Sequence, residues 1–261
     1  MQKRSSLAIL RAVLFALVLR ELRGRFSARR MGAFWFVFEP LANILVMFGE
    51  RVFLRGVELK GFDYPVFLFS GVVPYLLFKN IALQAMSAVD ANRNLFAYRQ
   101  IKPLDCIVAR VIVECVLMGI VWLCLLFVLG FWVGYDVSLV NPLGWLVTIF
   151  FGVVFSFALG IIYCVIVEAF PSVKTFIGLS YIPLYFLSSV LIPAWFLPYE
   201  VQGWLAWNPY FQLIEELRAN FFPGYPVPVG VGMGPIIFAS IVTLCVALGL
   251  YQARRQNLVS L

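Results

Sequence analysis

Six long apolar runs constrain this chain more than any other feature: Ala33 to Leu54, Pro65 to Val89, Cys106 to Val133, Pro142 to Val167, Thr175 to Ile192 and Met233 to Tyr251. A helix needs about 20 apolar residues to cross a bilayer, and runs of this length meet that need. Lipid offers the backbone no hydrogen-bonding partner, so a chain that spans it is either helical or a closed barrel. The runs are continuous rather than alternating, which excludes the barrel. Composition agrees: 63% of the 261 residues are hydrophobic, 13% are charged and the mean hydropathy is +0.95, far from a soluble globular domain. The expected fold is an all-α integral membrane protein, one domain over residues 1–261, with six transmembrane helices.

Several chemistries are excluded at once. The chain has no histidine, and its five cysteines (Cys106, Cys115, Cys124, Cys164, Cys245) lie inside the apolar runs without C-x-x-C spacing. That pattern suggests neither a disulfide framework nor a metal site. There is no G-x-x-x-x-G-K-[ST] loop to cradle a nucleotide, and no nucleophile beside a base. No catalytic residue, metal or bound cofactor is expected on this chain. Lys3 and Arg4 before an apolar stretch resemble a secretory leader, but Arg20, Glu21 and Arg23 stand where a cleavage site would be.

Basic residues fix the expected orientation. Eight of them precede Met31, Arg93, Arg99, Lys102 and Arg110 follow the second run, and Arg254 and Arg255 close the last. The opposite side is acidic, with Glu50, Glu58, Asp63, Asp136, Glu200, Glu215 and Glu216. Both termini are therefore expected in the cytoplasm of a multi-pass inner (cell) membrane protein. The net charge of +7 follows from this sidedness and implies no nucleic acid partner.

Three segments outside simple spans carry candidate functions. Residues 5–28 are too broken by charge to cross, yet have a wide apolar face, so they should lie along the cytoplasmic interface. Residues 92–105 place Leu95, Phe96, Tyr98 and Ile101 among Arg93, Arg99 and Lys102; such an apolar patch on a polar loop calls for a partner, although the basic residues also suit lipid headgroups. Residues 193–232, interrupted by Pro, Gly and charge, should dip into the outer leaflet as a periplasmic re-entrant helical pair broken at Asn208-Pro209. Its Trp195, Trp204, Trp207 and Tyr210 fit either an interfacial aromatic belt or an outer gate.

Charges inside spans are costly and read as functional. At 1.5 Å per residue, Glu39, Lys79 and Glu114 lie roughly 9, 15 and 12 Å from the cytoplasmic ends of their spans. Lys79 is thus expected to pair with Glu39 or with Glu114. Pro40, and Gly71 with Pro74, mark kinks in the first two spans. Phe34, Trp35 and Phe38 share one side of the first span, where they either pack against a neighbour or give a polymer a surface to slide on.

The short motifs along the chain resemble those of the transmembrane permeases of ABC-2 type exporters. The residues that carry this are Arg20-Glu21-Leu22-Arg23, Arg25-Phe26, Met31-Gly32, Trp35 and Pro40-Leu41. Closer to the capsular polysaccharide branch are Phe38-Glu39-Pro40-Leu41, Ser70-Gly71-Val72-Val73-Pro74, Asn92 to Ala97 with Tyr98, Ile101 to Asp105, and Asn208-Pro209 followed by Glu215, Arg218 and Phe221 to Tyr225. Gln212 and Arg99 depart from it, where relatives are expected to carry histidine and proline.

The resemblance implies a homodimer working with two ATPase subunits that bind ATP and Mg, and with a periplasmic adaptor and an outer-membrane channel. It implies that 92–105 is a coupling helix loop, with Arg93, Leu95, Phe96, Tyr98, Ile101 and Lys102 facing the ATPase. The N-terminal helix becomes an interface helix whose Arg20, Arg23, Arg25, Arg29 and Arg30 would recruit an acidic lipid-linked polysaccharide by charge. Phe34, Trp35, Phe38, Glu39, Lys79 and Glu114 would border the translocation path. The same build could instead export O-antigen, teichoic acid or a drug. A membrane-embedded glycolipid enzyme would need catalytic groups at a water interface, and Asp90 and Asp105 are too separated in sequence to supply them; an assembly scaffold would support export even with an inactive ATPase.

Overall fold

The computed structural model describes residues 6–27, 38, 42, 62–96 and 101–260. The expected first crossing, Ala33 to Leu54, lies largely outside them. The described residues form helices and no strand: α1 (Ser6–Ser27), α2 (Tyr64–Met86), α3 (Pro103–Phe127), α4 (Pro142–Ala169), α5 (Val173–Leu187), α6 (Tyr199–Leu205), α7 (Pro209–Phe221) and α8 (Met233–Ser260). Tyr64–Met86, Pro103–Val133, Pro142–Ala169 and Met233–Gln256 are long and apolar enough to cross a membrane.

Helix starts follow local chemistry. Proline stands in the first turn of α2, α3, α4 and α7, where its missing N–H is no loss. Asn141 caps α4 by accepting the Gly144 N–H at 3.0 Å, and Asn208 caps α7 by accepting the Tyr210 N–H at 3.0 Å. At the start of α3 the Lys102 N–H donates to the Asp105 carboxylate at 3.0 Å. A π turn, Val128–Val133, extends α3 and ends at Gly134, whose φ of 82° is left-handed, the conformation glycine adopts without strain.

The expected fifth crossing, Thr175 to Ile192, falls short. α5 has 15 residues, about 22 Å at 1.5 Å per residue, against about 30 Å of hydrocarbon. Beyond Leu187 the chain turns through Ser188 and Ser189, the latter at φ 56°. The carbonyls of Ser189 and Val190 accept hydrogen bonds from the Arg218 guanidinium, which replaces the N–H partners that a continued helix would supply.

α2 is the central pillar, packed against α3, α4 and α7 and buried over most of its length, from Val66 to Phe78 without a break. α4 lies against α2 so closely that small residues are required: a Cβ on Gly152 would strike the Phe78 ring, and one on Gly160 would strike Ala85. Membrane helices approach in this way because packing and interhelical hydrogen bonds, not water exclusion, hold them together. α8 seals the other side of α4, where the Ser240 hydroxyl donates across to the Phe151 carbonyl at 3.1 Å. Gly160→Val is expected to overpack the seam between α2 and α4 by about 1–3 kcal/mol, read as a lower melting temperature of the detergent-solubilised protein.

α6 and α7 meet at Asn208-Pro209, as the proline predicts. α7 is buried on most of its surface, whereas α6 has no buried residue. Asn141 joins α7 to the start of α4: its N–H donates to the Asn220 carbonyl at 2.9 Å and its side-chain amide to Asn220 Oδ1 at 2.9 Å. Outside the spans, Asp136 caps its own turn by accepting the Ser138 N–H at 2.9 Å, and the Ser138 hydroxyl and N–H hold its carboxyl below the usual carboxylate range.

Candidate functional site

Among the described residues, three groups of polar side chains within this apolar fold stand out. At one end, α1 lies across the start of α3 and the end of α2. Glu21 and Arg25 stand one turn apart on α1 and interact at 3.5 Å. Arg25 also pairs with the fully buried Glu114 of α3, while Arg110, one turn earlier on α3, pairs with Glu21 at 3.2 Å. Arg110 further donates to the Gln84 carbonyl at 2.9 Å and to Ser87 Oγ at 2.8 Å at the end of α2. Two acids and two bases thus cancel, as buried charges must, and they bind three helices together.

Beside this network runs the short 3-10 turn Asp90–Leu95. Asn92 is buried and donates to the Ala88 carbonyl at 2.7 Å, while Arg93 and Asp90 pair on the exposed side at 3.3 Å. Leu95, Phe96 and Ile101, expected to await an external partner, are half-buried and pack with Val13, Leu17 and Val18 of α1 and with Cys106 and Ala109 of α3. Among the described residues, the loop's apolar side chains Leu95, Phe96 and Ile101 pack within this chain. Among its described residues, Asp90, Ala91, Arg93, Asn94 and Lys102 are exposed; Tyr98 and Arg99 lie outside them.

The second place is a cleft of about 240 Å³ between α2 and α5, lined by Tyr75, Lys79, Gly178, Tyr181 and Tyr185 among others. Glu114, one of the two expected partners of Lys79, is engaged by Arg25 instead, because α1 rather than α2 lies against that face of α3. Glu39, the other, is outside the described residues, as are Phe34 and Trp35. Phe38 is helical and half-buried.

The third place is at the opposite end, around α7. Arg218 and Glu215 are fully buried and pair at 3.3 Å. Arg218 donates to the Val190 carbonyl at 2.8 Å and lies 3.7 Å from the centre of the Phe67 ring; the Tyr225 hydroxyl donates to Glu215 Oε2 at 2.8 Å. Gly71 leaves the room that the guanidinium occupies. Gln212 donates to the carbonyls of Ala206 and Gly230, both at 2.8 Å, and accepts the Gly232 N–H at 3.2 Å. A side-chain amide carries both donors and an acceptor, and here it uses both kinds to tie the loop before α8 to the one after α6.

The expected gate residues separate. Tyr210 is buried, its hydroxyl 3.1 Å from that of Tyr181 and its ring against Phe78 and Phe155, so it belongs to the core and not to an outer surface. Trp195 packs in an aromatic cluster with Phe62, Phe67 and Tyr225. Trp204 and Trp207 are exposed, at 83% and 90%, as an interfacial belt requires. Of the expected recruiting arginines, Arg20 and Arg23 are exposed, Arg25 is turned inward to Glu114, and Arg29 and Arg30 are outside the described residues.

Sequence reasoning did not single out Glu21, Arg110, or the depth at which Glu215 and Arg218 are placed. One signal was available: Arg110 and Glu114, like Glu215 and Arg218, stand one helical turn apart within apolar surroundings, the spacing at which charges support each other.

Comparison with known proteins agrees with this architecture. The family model described as ABC-2 type transporter matches residues 12–222. The chain is 30% identical to the polysialic acid transport protein KpsM of Escherichia coli, over 98% of this chain and 99% of that protein. It is 28% identical to the capsule polysaccharide export inner-membrane protein BexB of Haemophilus influenzae, covering 84% of this chain and 82% of the relative. It is likewise 28% identical to the capsule polysaccharide export inner-membrane protein CtrC of Neisseria meningitidis serogroup B, covering 83% and 82%.

Proposed function

The chain belongs to the ABC-2 type transporter family, and from that premise we propose that it is the transmembrane subunit of an exporter that carries lipid-linked capsular polysaccharide across the inner membrane. It is a membrane transport subunit and not an enzyme. The observation that carries this reading is the near full-length likeness to the capsule export permeases.

The finer parts of the reading follow from the family and from residue placement. The chain spans the inner membrane six times, the short α5 and the turn after it together making the fifth crossing, with both termini in the cytoplasm, and acts as a homodimer with two ATPase subunits, which bind the ATP and Mg. Residues 92–105, which begin within the turn Asp90–Leu95, form the coupling loop. Its exposed charges meet the ATPase, and its buried face, seated on α1 and α3, passes the push into the spans, a rigid-body lever of the kind that packed helices transmit. α6 and α7 form a periplasmic re-entrant pair, and the acidic periplasmic face docks the adaptor that leads to an outer-membrane channel. Arg20 and Arg23 draw the acidic end of the glycolipid toward the path by charge.

Two measurements test this. Cells lacking the protein should retain capsular glycan inside, and retention of O-antigen or of no glycan would replace or remove the reading. Reversing charge at the coupling surface, Arg93→Glu with Lys102→Glu, should lower co-purification of the ATPase and glycan export by about tenfold, since like charges placed across an interface repel. The amount of protein in the membrane should not change, because exposed substitutions away from packed features shift stability by about 0.5 kcal/mol or less.

A further inference from the structure

We infer that the cavity between the end of α2 and the junction of α4 with α5 binds the headgroup of a phospholipid that carries a primary ammonium, with the ammonium on Glu168 and the phosphate at Lys174. The inference goes beyond the export function and does not depend on the cargo.

The cavity lies at the level where headgroups are found. α4 has 28 residues, about 42 Å at 1.5 Å per residue, which matches the 40–45 Å or so of a bilayer with its headgroups. Glu168 is the last residue but one of α4, and Asp90 and Arg93, in the turn that follows α2, line the same space. At about 210 Å³ it is below the 300–1,000 Å³ or so of a site for a drug-sized ligand. It has room for a headgroup whose acyl chains stay in the bilayer.

Charge decides which headgroup. Two acids and two bases line the cavity. Asp90 and Arg93 pair with each other at 3.3 Å, whereas Glu168 and Lys174 form no ion pair with each other or with another described residue. Glu168 is half-buried, and its Oε2 is shut from water with no hydrogen-bond partner among the described residues. An acceptor in that state is costly. Rotation about the last bond of the side chain, which is soft for glutamate, turns either oxygen to the cavity. Lys174 is exposed in the first turn of α5, the end of a helix that favours an anion. A molecule with an ammonium at one end and a phosphate at the other satisfies both residues, and Met86 and Val89 of the lining suit the two methylenes between those groups.

A primary ammonium brings N–H donors to Glu168, and a trimethylammonium brings none. A glycerol headgroup has hydroxyls but no positive charge for the carboxylate. A basic side chain of the ATPase would serve Glu168 and leave Lys174 unmatched.

The test is native mass spectrometry of the full chain with its ATPase, delipidated and then titrated with phosphatidylethanolamine, phosphatidylcholine or phosphatidylglycerol. Phosphatidylethanolamine should bind one site per permease about tenfold more tightly than the other two, the effect of one charge-assisted hydrogen bond. Glu168→Gln should bring phosphatidylethanolamine down to the level of phosphatidylcholine. Lys174→Glu should weaken both about tenfold, since both carry the phosphate, and its exposed position leaves the fold intact. Equal affinity of the wild type for phosphatidylethanolamine and phosphatidylcholine, or a preference that survives Glu168→Gln, would overturn the site. So would a tenfold loss of ATPase co-purification in Glu168→Gln with the lipid preference unchanged, which would assign the cavity to the motor.

Discussion

Arg218→Ala should be the most damaging single substitution in the described protein, with a loss of about 3–5 kcal/mol, the cost of breaking a fully buried ion pair. The guanidinium does more than neutralise Glu215. It satisfies backbone carbonyls at Ser189 and Val190, where α5 has ended early, and it lies over Phe67 of the central helix. Its loss strands a buried carboxylate that keeps contacts with the Tyr225 and Ser189 hydroxyls but no cation, and leaves the turn after α5 with unmet acceptors. The measurement is yield and thermal unfolding of the protein in detergent. Glu215→Ala should lose a comparable amount, since it leaves the cation in the same apolar surroundings. Arg218→Met combined with Glu215→Leu should recover part of the loss, because a well-packed apolar pair removes the uncompensated charge. A double variant as unstable as Arg218→Ala alone would show that the carbonyl contacts, not the ion pair, dominate.

Glu114→Arg should have the second largest effect, and it should be felt as detachment of α1. Glu114 is fully buried and faces Arg25, with Arg110 one turn away. The reversal sets three cations against a single acid, Glu21, in a place where unpaired charge costs several kcal/mol. α1 should then become accessible to protease while the bundle of α2, α4 and α8, whose close contacts at Gly152, Gly160 and Ser240 lie outside this network, keeps its packing. Arg25→Glu combined with Glu114→Arg should restore protection in part, since the pair is rebuilt with its charges exchanged. Equal protease sensitivity in the wild type and in Glu114→Arg would mean that the apolar contacts of Leu17 with Cys106 and Ala109 suffice to hold α1.

Together these two clusters explain why charged residues persist in so apolar a chain. Each lies where helices that are distant in sequence must be held at a set position: Arg25 and Glu114 are 89 residues apart, and Arg218 reaches Phe67 across 151. The α1 network also borders the turn that would receive the motor's push, so fixing α1 there stiffens the lever. Coiled coils use single buried polar groups in the same way, to choose one register among several of similar apolar contact.

Much of the fold was legible because its signals are local. Pro103, Pro142 and Pro209 open helices, Asn208-Pro209 separates α6 from α7, and continuous apolar runs foretold the four long helices. α5 was overestimated because Ser188 to Ile192 reads as apolar enough to continue, and only the approach of Arg218 shows why it stops. The packing of Leu95, Phe96 and Ile101 onto α1 was not legible, because the α1 residues beside them lie some 80 residues earlier in the chain. Tyr210 was placed at a surface with its tryptophan neighbours, yet the α7 face that carries it is turned into the core against Phe78 and Phe155.

The sequence by itself determined that this chain is helical, that it lives in a bilayer and that it shares the motif order of the ABC-2 permeases, since length, hydropathy and motif spacing are properties of neighbouring residues. Tertiary structure alone decided which acid meets which base, which aromatics are core and which face outward, and that Lys79 lies beside three tyrosines. Those outcomes depend on how helices rotate and settle against one another, and helix rotation is set by the fit of whole surfaces, which no short stretch of chain contains.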